Sequence, residues 1–83
     1  MADAGEQATP SHVLDVRGFR CPIPVGEARQ ALQALAVGSL LEVRFDDPEA
    51  LQDLPPMVAR IGQRVVHVDE GHGDWRMVIE VVA

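Results

Sequence analysis

The sequence predicts a small α/β (α+β) two-layer sandwich in the order β-α-β-α-β-β, with a four-stranded mixed sheet carrying both helices on one face. Three observations lead there. Eighty-three residues, 47% of them apolar, suffice for one packed domain. Two stretches repeat their apolar residues at helical spacing, and four shorter ones are β-branched or alternate. No internal repeat or linker separates them, and two helices on one sheet face is the simplest way to bury both apolar surfaces.

In chain order, residues 1–12 read as a flexible N-terminal extension and residues 13–83 as the domain. Val13-Leu14-Asp15-Val16 is short and largely β-branched, a strand that Gly18 breaks. Pro22 and Pro24 fall where a helix begins, a place in which a missing N–H costs little. Val25, Ala28, Leu32 and Leu35 then share one helical face, with Glu27, Gln30 and Gln33 on the other side and Gly38 expected as the stop. Leu41, Val43 and Phe45 alternate with Glu42 and Arg44, a half-buried strand.

Asp47 and Pro48 are a cap and a first residue for the second helix, whose inner face is Leu51, Leu54, Val58 and Ile61. Pro55 and Pro56 predict an interruption, because an interior proline costs about 3 kcal/mol. A short turn and a fresh helix with Asp53 near its start are expected, ending at Gly62. Val65–Val68 is a third strand, residues 70–74 a loop of turn formers, and Trp75–Val82 a last strand. It places Trp75, Met77, Ile79 and Val81 on one side, leaving Glu42, Arg44, Arg76 and Glu80 to face water.

Composition narrows function. The net charge is −6, and the seven cationic residues are scattered arginines. Phosphate backbones need concentrated positive charge, so direct nucleic-acid binding is not expected, although compact folds of this order can serve RNA. Residues 1–11 lack the basic start and apolar run of a secretory signal. No apolar stretch approaches the roughly 18 residues of a membrane span. The expected compartment is the cytoplasm, where a thiol stays reduced.

His12, His67 and His72 have no ligand spacing, so no metal is expected. Asp46 and Asp47 read as a helix start rather than a carboxylate pair, and no Ser/His/Asp pattern, phosphate loop or dinucleotide fingerprint occurs.

The informative stretch is Leu14-Asp15-Val16-Arg17-Gly18-Phe19-Arg20-Cys21-Pro22-Ile23-Pro24. Cys21 lies between strand and helix and is expected at the helix N-cap, where about half a positive charge favours a thiolate. Arg17 and Arg20 are placed to add to that field. With prolines at 22 and 24, Ile23 N–H is the main donor left for the sulfur, which predicts a stabilised yet nucleophilic thiolate. Asp15 is expected to anchor the loop through backbone or Arg17 hydrogen bonds, Gly18 to supply backbone freedom, and Pro22 and Pro24 to set shape. The bland alternative is a small buried hydrophobe. A lone cysteine has no resolving partner, but it can take a sulfur and yield it to another protein's thiolate.

This segment resembles the signature of the TusA/SirA family of sulfur carriers, Cys-Pro-x-Pro just after a Leu-Asp-x-Arg-Gly-type strand. The similarity extends through Asp46-Asp47-Pro48, Leu54-Pro55 and Gly62, over roughly Val13–Val82. The resemblance implies the same β-α-β-α-β-β sandwich and a persulfide on Cys21, with no other cofactor. It implies a cysteine desulfurase or rhodanese-type donor, and an acceptor protein with a reactive cysteine in tRNA thiolation, cofactor synthesis or sulfur oxidation. It implies sulfurtransferase-like chemistry without independent turnover. Members that thiolate tRNA carry an acidic residue between the two prolines and a more basic helix, whereas this chain has Ile23 followed by Val25-Gly26-Glu27. The competing function is a non-catalytic regulatory or protein-interaction module in which Cys21 is structural.

Overall fold

The computed structural model describes residues 10–83; most of the expected N-terminal extension, residues 1–9, lies outside them. The elements are β1 (His12–Asp15), α1 (Ile23–Ala34), β2 (Leu40–Phe45), α2 (Pro48–Arg60), β3 (Arg64–Glu70) and β4 (Trp75–Glu80). They form one mixed sheet in the order β1-β2-β4-β3. β1 runs parallel to β2, while β2–β4 and β3–β4 are antiparallel. This is the two-layer α+β arrangement expected from the pattern.

The core lies between the sheet and both helices. Leu41, Val43 and Phe45 of β2 and Met77 and Ile79 of β4 meet Ala28 and Leu32 of α1 and Ala50, Leu54, Met57 and Val58 of α2. Phe45 and Trp75, directly paired across β2 and β4, stack with centroids 5.8 Å apart. The alternation in β2 is thus realised as one apolar face turned to the helices.

Several boundaries differ from expectation. β1 begins at His12, and Ser11 already hydrogen-bonds both the N–H and the carbonyl of Leu40. α1 ends at Ala34 rather than at Gly38, which instead turns the chain into β2 at φ +95° and donates its N–H to Val81 at 2.7 Å. β3 is longer than expected, with a bulge between Val65 and His67, and β4 stops at Glu80.

The main correction concerns α2, which is one continuous helix through Pro55 and Pro56. Both prolines are exposed, so the interruption in hydrogen bonding falls away from the core. Their fixed φ is compatible with helix, and the buried stripe Ala50, Leu54, Met57 and Val58 holds both halves against one surface. Tertiary burial here overrides the local cost. The expected stop is realised at Gly62 (φ +84°): its N–H bonds Ala59 at 3.1 Å while Gln63 N–H bonds Val58 at 2.9 Å, a Schellman ending.

The outer sheet face also departs from expectation. Glu42 is buried, not solvated, because Arg44 (2.7 Å) and Arg76 (3.1 Å) fold over its carboxylate. Arg76 continues the chain of charges to Asp69 at 2.6 Å, and His67 Nε2 lies 2.8 Å from the same residue.

Candidate functional site around Cys21

Because β1 and β2 are parallel, their C-terminal ends lie side by side, and the loops that follow them meet. Asp46 and Asp47, after β2, reach across to the β1–α1 loop. Asp46 Oδ1 accepts the N–H of Gly18 at 2.9 Å, and Asp47 Oδ2 accepts the N–H of Cys21 at 2.6 Å. With its other oxygen Asp47 caps α2, taking Glu49 N–H at 3.1 Å. One buried carboxylate therefore ties the cysteine loop to the start of the second helix.

Gly18 sits at φ +91°, the left-handed conformation that favours glycine. Asp15 pairs with Arg17, the partner that the pattern suggested. It accepts Arg17 N–H at 3.1 Å, Nε at 3.0 Å and the terminal guanidinium at 2.8 Å. The Arg17 side chain, whose hydrogen bonds lead the causes, holds the Asp15 carboxyl down at about 2.

That pairing corrects the electrostatic expectation. Arg17 is occupied by Asp15 and by Asp74 at 3.5 Å, and it lines hollows on the β3–β4 loop side rather than the groove of Cys21. Arg20 is exposed, and its carbonyl accepts Ile23 N–H at 3.0 Å. Cys21 is not the N-cap. Pro22 takes that place, joined to Cys21 by a cis peptide, and its carbonyl receives the first helical bond, from Gly26 at 2.9 Å. Ile23 N–H, expected at the sulfur, is used within this turn. Pro24 is buried and packs inward.

The sulfur's partner comes instead from α2. Asp53 Oδ2 lies 3.7 Å from Cys21 Sγ and accepts its S–H. Partial burial, first, and then the negative charges of Asp53 and Asp47 push the Cys21 thiol up from its ordinary value. The shift runs opposite to the field-stabilised thiolate expected. Asp53 was legible only as a helix residue; the expected break at Pro55 hid that an unbroken α2 carries it to Cys21.

Cys21 is half-buried at the edge of a groove of about 630 Å³ between α1 and α2. Val25, Met57 and Ile61 contribute apolar surface to it, and Arg29 and Arg60 bring cations. No helix among the described residues is long and apolar enough to cross a membrane. His12 Nδ1 makes a local hydrogen bond to Ser11 Oγ at 3.1 Å.

A two-layer α+β sandwich with a single accessible cysteine on the loop entering its first helix defines a class of small thiol proteins. Within that class this chain belongs to the TusA family: residues 12–81 match the family model described as Sulfurtransferase TusA. A Thermotoga maritima relative is 39% identical over 69 residues, covering 82% of this chain and 87% of that protein. Sulfur carrier protein TusA of Pseudomonas putida is 37% identical, covering 81% and 84%. The crystal structure of a SirA-like protein from Desulfitobacterium hafniense superposes with a TM-score of 0.76 at 27% identity, over 87% of this chain and 99% of that one. Membership supports a sulfur-carrier role.

Proposed function

We propose that this chain accepts a sulfane sulfur as a persulfide on Cys21 and delivers it to a cysteine of an acceptor protein. The observation that carries this reading is the position of Sγ, half-buried at the edge of an open groove rather than sealed in the core. A structural cysteine would be expected to fill interior volume. This one leaves one side free for a partner's sulfur.

The loading step balances without an oxidant. Cys21 gives its proton to solvent, and Sγ attacks the terminal sulfur of a donor persulfide. The new Sγ–S bond forms as the donor's S–S bond breaks, and the electron pair leaves on the donor thiolate, which is then protonated. Delivery repeats the exchange, with the acceptor thiolate attacking the outer sulfur and Cys21 leaving. A cysteine desulfurase or rhodanese-type protein has the chemistry of the donor.

Intact-mass measurement after incubation with a persulfide donor tests the proposal. Wild type is expected to gain one sulfur, which a reductant removes, and Cys21→Ala to gain none. No gain in wild type from any donor, with a thiol inert to alkylation in the folded protein, would favour the interaction-module reading instead.

A further inference from the structure

Asp53 has a part that the carrier chemistry alone does not require. Its carboxylate stands 3.7 Å from Sγ on the wall of the groove, and among the described residues it forms no ion pair. Three carboxylates elsewhere are held by partners in the fold: Asp47 by two backbone N–H groups, Asp15 and Glu42 by arginines. The charged groups around the sulfur are Asp47, Glu49 and Asp53 from α2 and its cap, Arg60 from α2, and Arg29 from α1. Neither arginine comes within ion-pair distance of Asp53.

We propose that Asp53 keeps the empty carrier as an unreactive thiol, and that a sulfur donor releases it by docking a cationic side chain against the Asp53 carboxylate. Resting on the carrier reading above, this assigns a gate to its site and a charge to its partner. A negative group beside Sγ opposes the charge that Sγ must develop to attack, and the same opposition meets Sγ when it leaves. An incoming cation converts Asp53 from an opponent of that charge into half of an ion pair. The groove is open to solvent, so such a cation has access. An empty carrier guarded in this way resists stray electrophiles and oxidants, because thiolates rather than thiols are attacked. It becomes reactive where a matching partner sits. Asp53 is thus a positioning and gating residue for Cys21.

Alkylation of the full-length protein tests both halves. With neutral iodoacetamide at pH 7, Asp53→Asn is expected to react about threefold faster than wild type. The gain in thiolate population is partly offset by the lower intrinsic nucleophilicity of a less basic sulfur. Asp53→Glu, which keeps the charge, stays within about twofold of wild type. The second measurement compares cationic trimethylammonioethyl with anionic sulfonatoethyl methanethiosulfonate, each rate divided by that reagent's rate with free mercaptoethanol. In both, Sγ bonds the reagent's sulfenyl sulfur and methanesulfinate leaves. Wild type is expected to favour the cationic reagent about fivefold, and Asp53→Asn to lose that preference.

The inference is overturned if Asp53→Asn alkylates at the wild-type rate, if the cationic preference survives the substitution, or if Asp53→Glu behaves like Asp53→Asn. Its failure is separable from that of the carrier reading. A wild-type protein that gains no sulfur by mass sinks the carrier reading while leaving these rates as they are.

Discussion

On the outer face of the sheet the Glu42 carboxylate, 7% exposed, lies between Arg44 at 2.7 Å and Arg76 at 3.1 Å. In the groove between the helices Asp53 faces a thiol at 3.7 Å and no cation within ion-pair distance. The first carboxylate is compensated where it is buried, as a charge removed from water must be. The second is exposed and accepts the Cys21 S–H, with no arginine paired to it among the described residues. Asp47 stands between these cases: buried like Glu42 and close to the cysteine like Asp53, it is satisfied by the N–H groups of Cys21 and Glu49. Glu42 and Asp47 are thus paired within the fold, whereas Asp53 meets the thiol, and substitutions sort them by size of effect.

The largest effect belongs to Asp47. Asp47→Ala removes a helix cap and a hydrogen bond from a buried carboxylate to Cys21 N–H, together about 3 kcal/mol. At roughly 4–8 °C per kcal/mol for a domain of this size, thermal denaturation should show a midpoint lower by about 12–24 °C. Asp46→Ala, which loses only the exposed bond to Gly18, should fall much less. Equal losses would show that Asp47 does not tie the two elements together. Next comes Glu42→Gln, expected to cost about 1 kcal/mol, because the arginines it holds are 46% and 35% exposed and regain water. Urea denaturation at pH 7 measures it, and a loss as large as that of Asp47→Ala would erase the distinction between the two faces.

Most of the fold was readable from local pattern. The face Val25, Ala28, Leu32, Leu35 and the alternation Leu41, Val43, Phe45 specify a helix and a strand by period alone, and burial follows them. The Asp15–Arg17 contact and the left-handed backbone at Gly18 were readable because they are set within a few residues. What stayed hidden depends on distance across the fold. Pro55 and Pro56 argue locally for a break, and only the shared core behind Ala50, Leu54, Met57 and Val58 makes α2 continuous. The reversal of charge at Cys21 has the same origin: the nearest groups in sequence are arginines, while the nearest in space are Asp53 and Asp47, brought in by α2 and by the parallel β1–β2 pair. The buried Glu42 was missed because alternation assigns a face, not the arginines that fold over it.

The smallest effect sharpens the comparison through pH. Asp15 is solvent-exposed, and its pairing with Arg17 is a surface contact, so Asp15→Asn should lower the midpoint only slightly at pH 6. Its signature is where that difference disappears. The folded carboxyl is held at about 2, below its ordinary value near 3.8, by the Arg17 side chain. A carboxyl depressed on folding stabilises the protein above its unfolded value, and that contribution fades as pH falls toward the folded one. Wild type and Asp15→Asn should therefore differ at pH 6, converge between about pH 4 and 2, and coincide below. A difference that is the same at pH 6 and pH 2 would mean that the carboxylate charge is not what anchors this loop. The loop's hold on the cysteine would then rest on Asp46 and Asp47 alone, the two acceptors supplied from across the sheet.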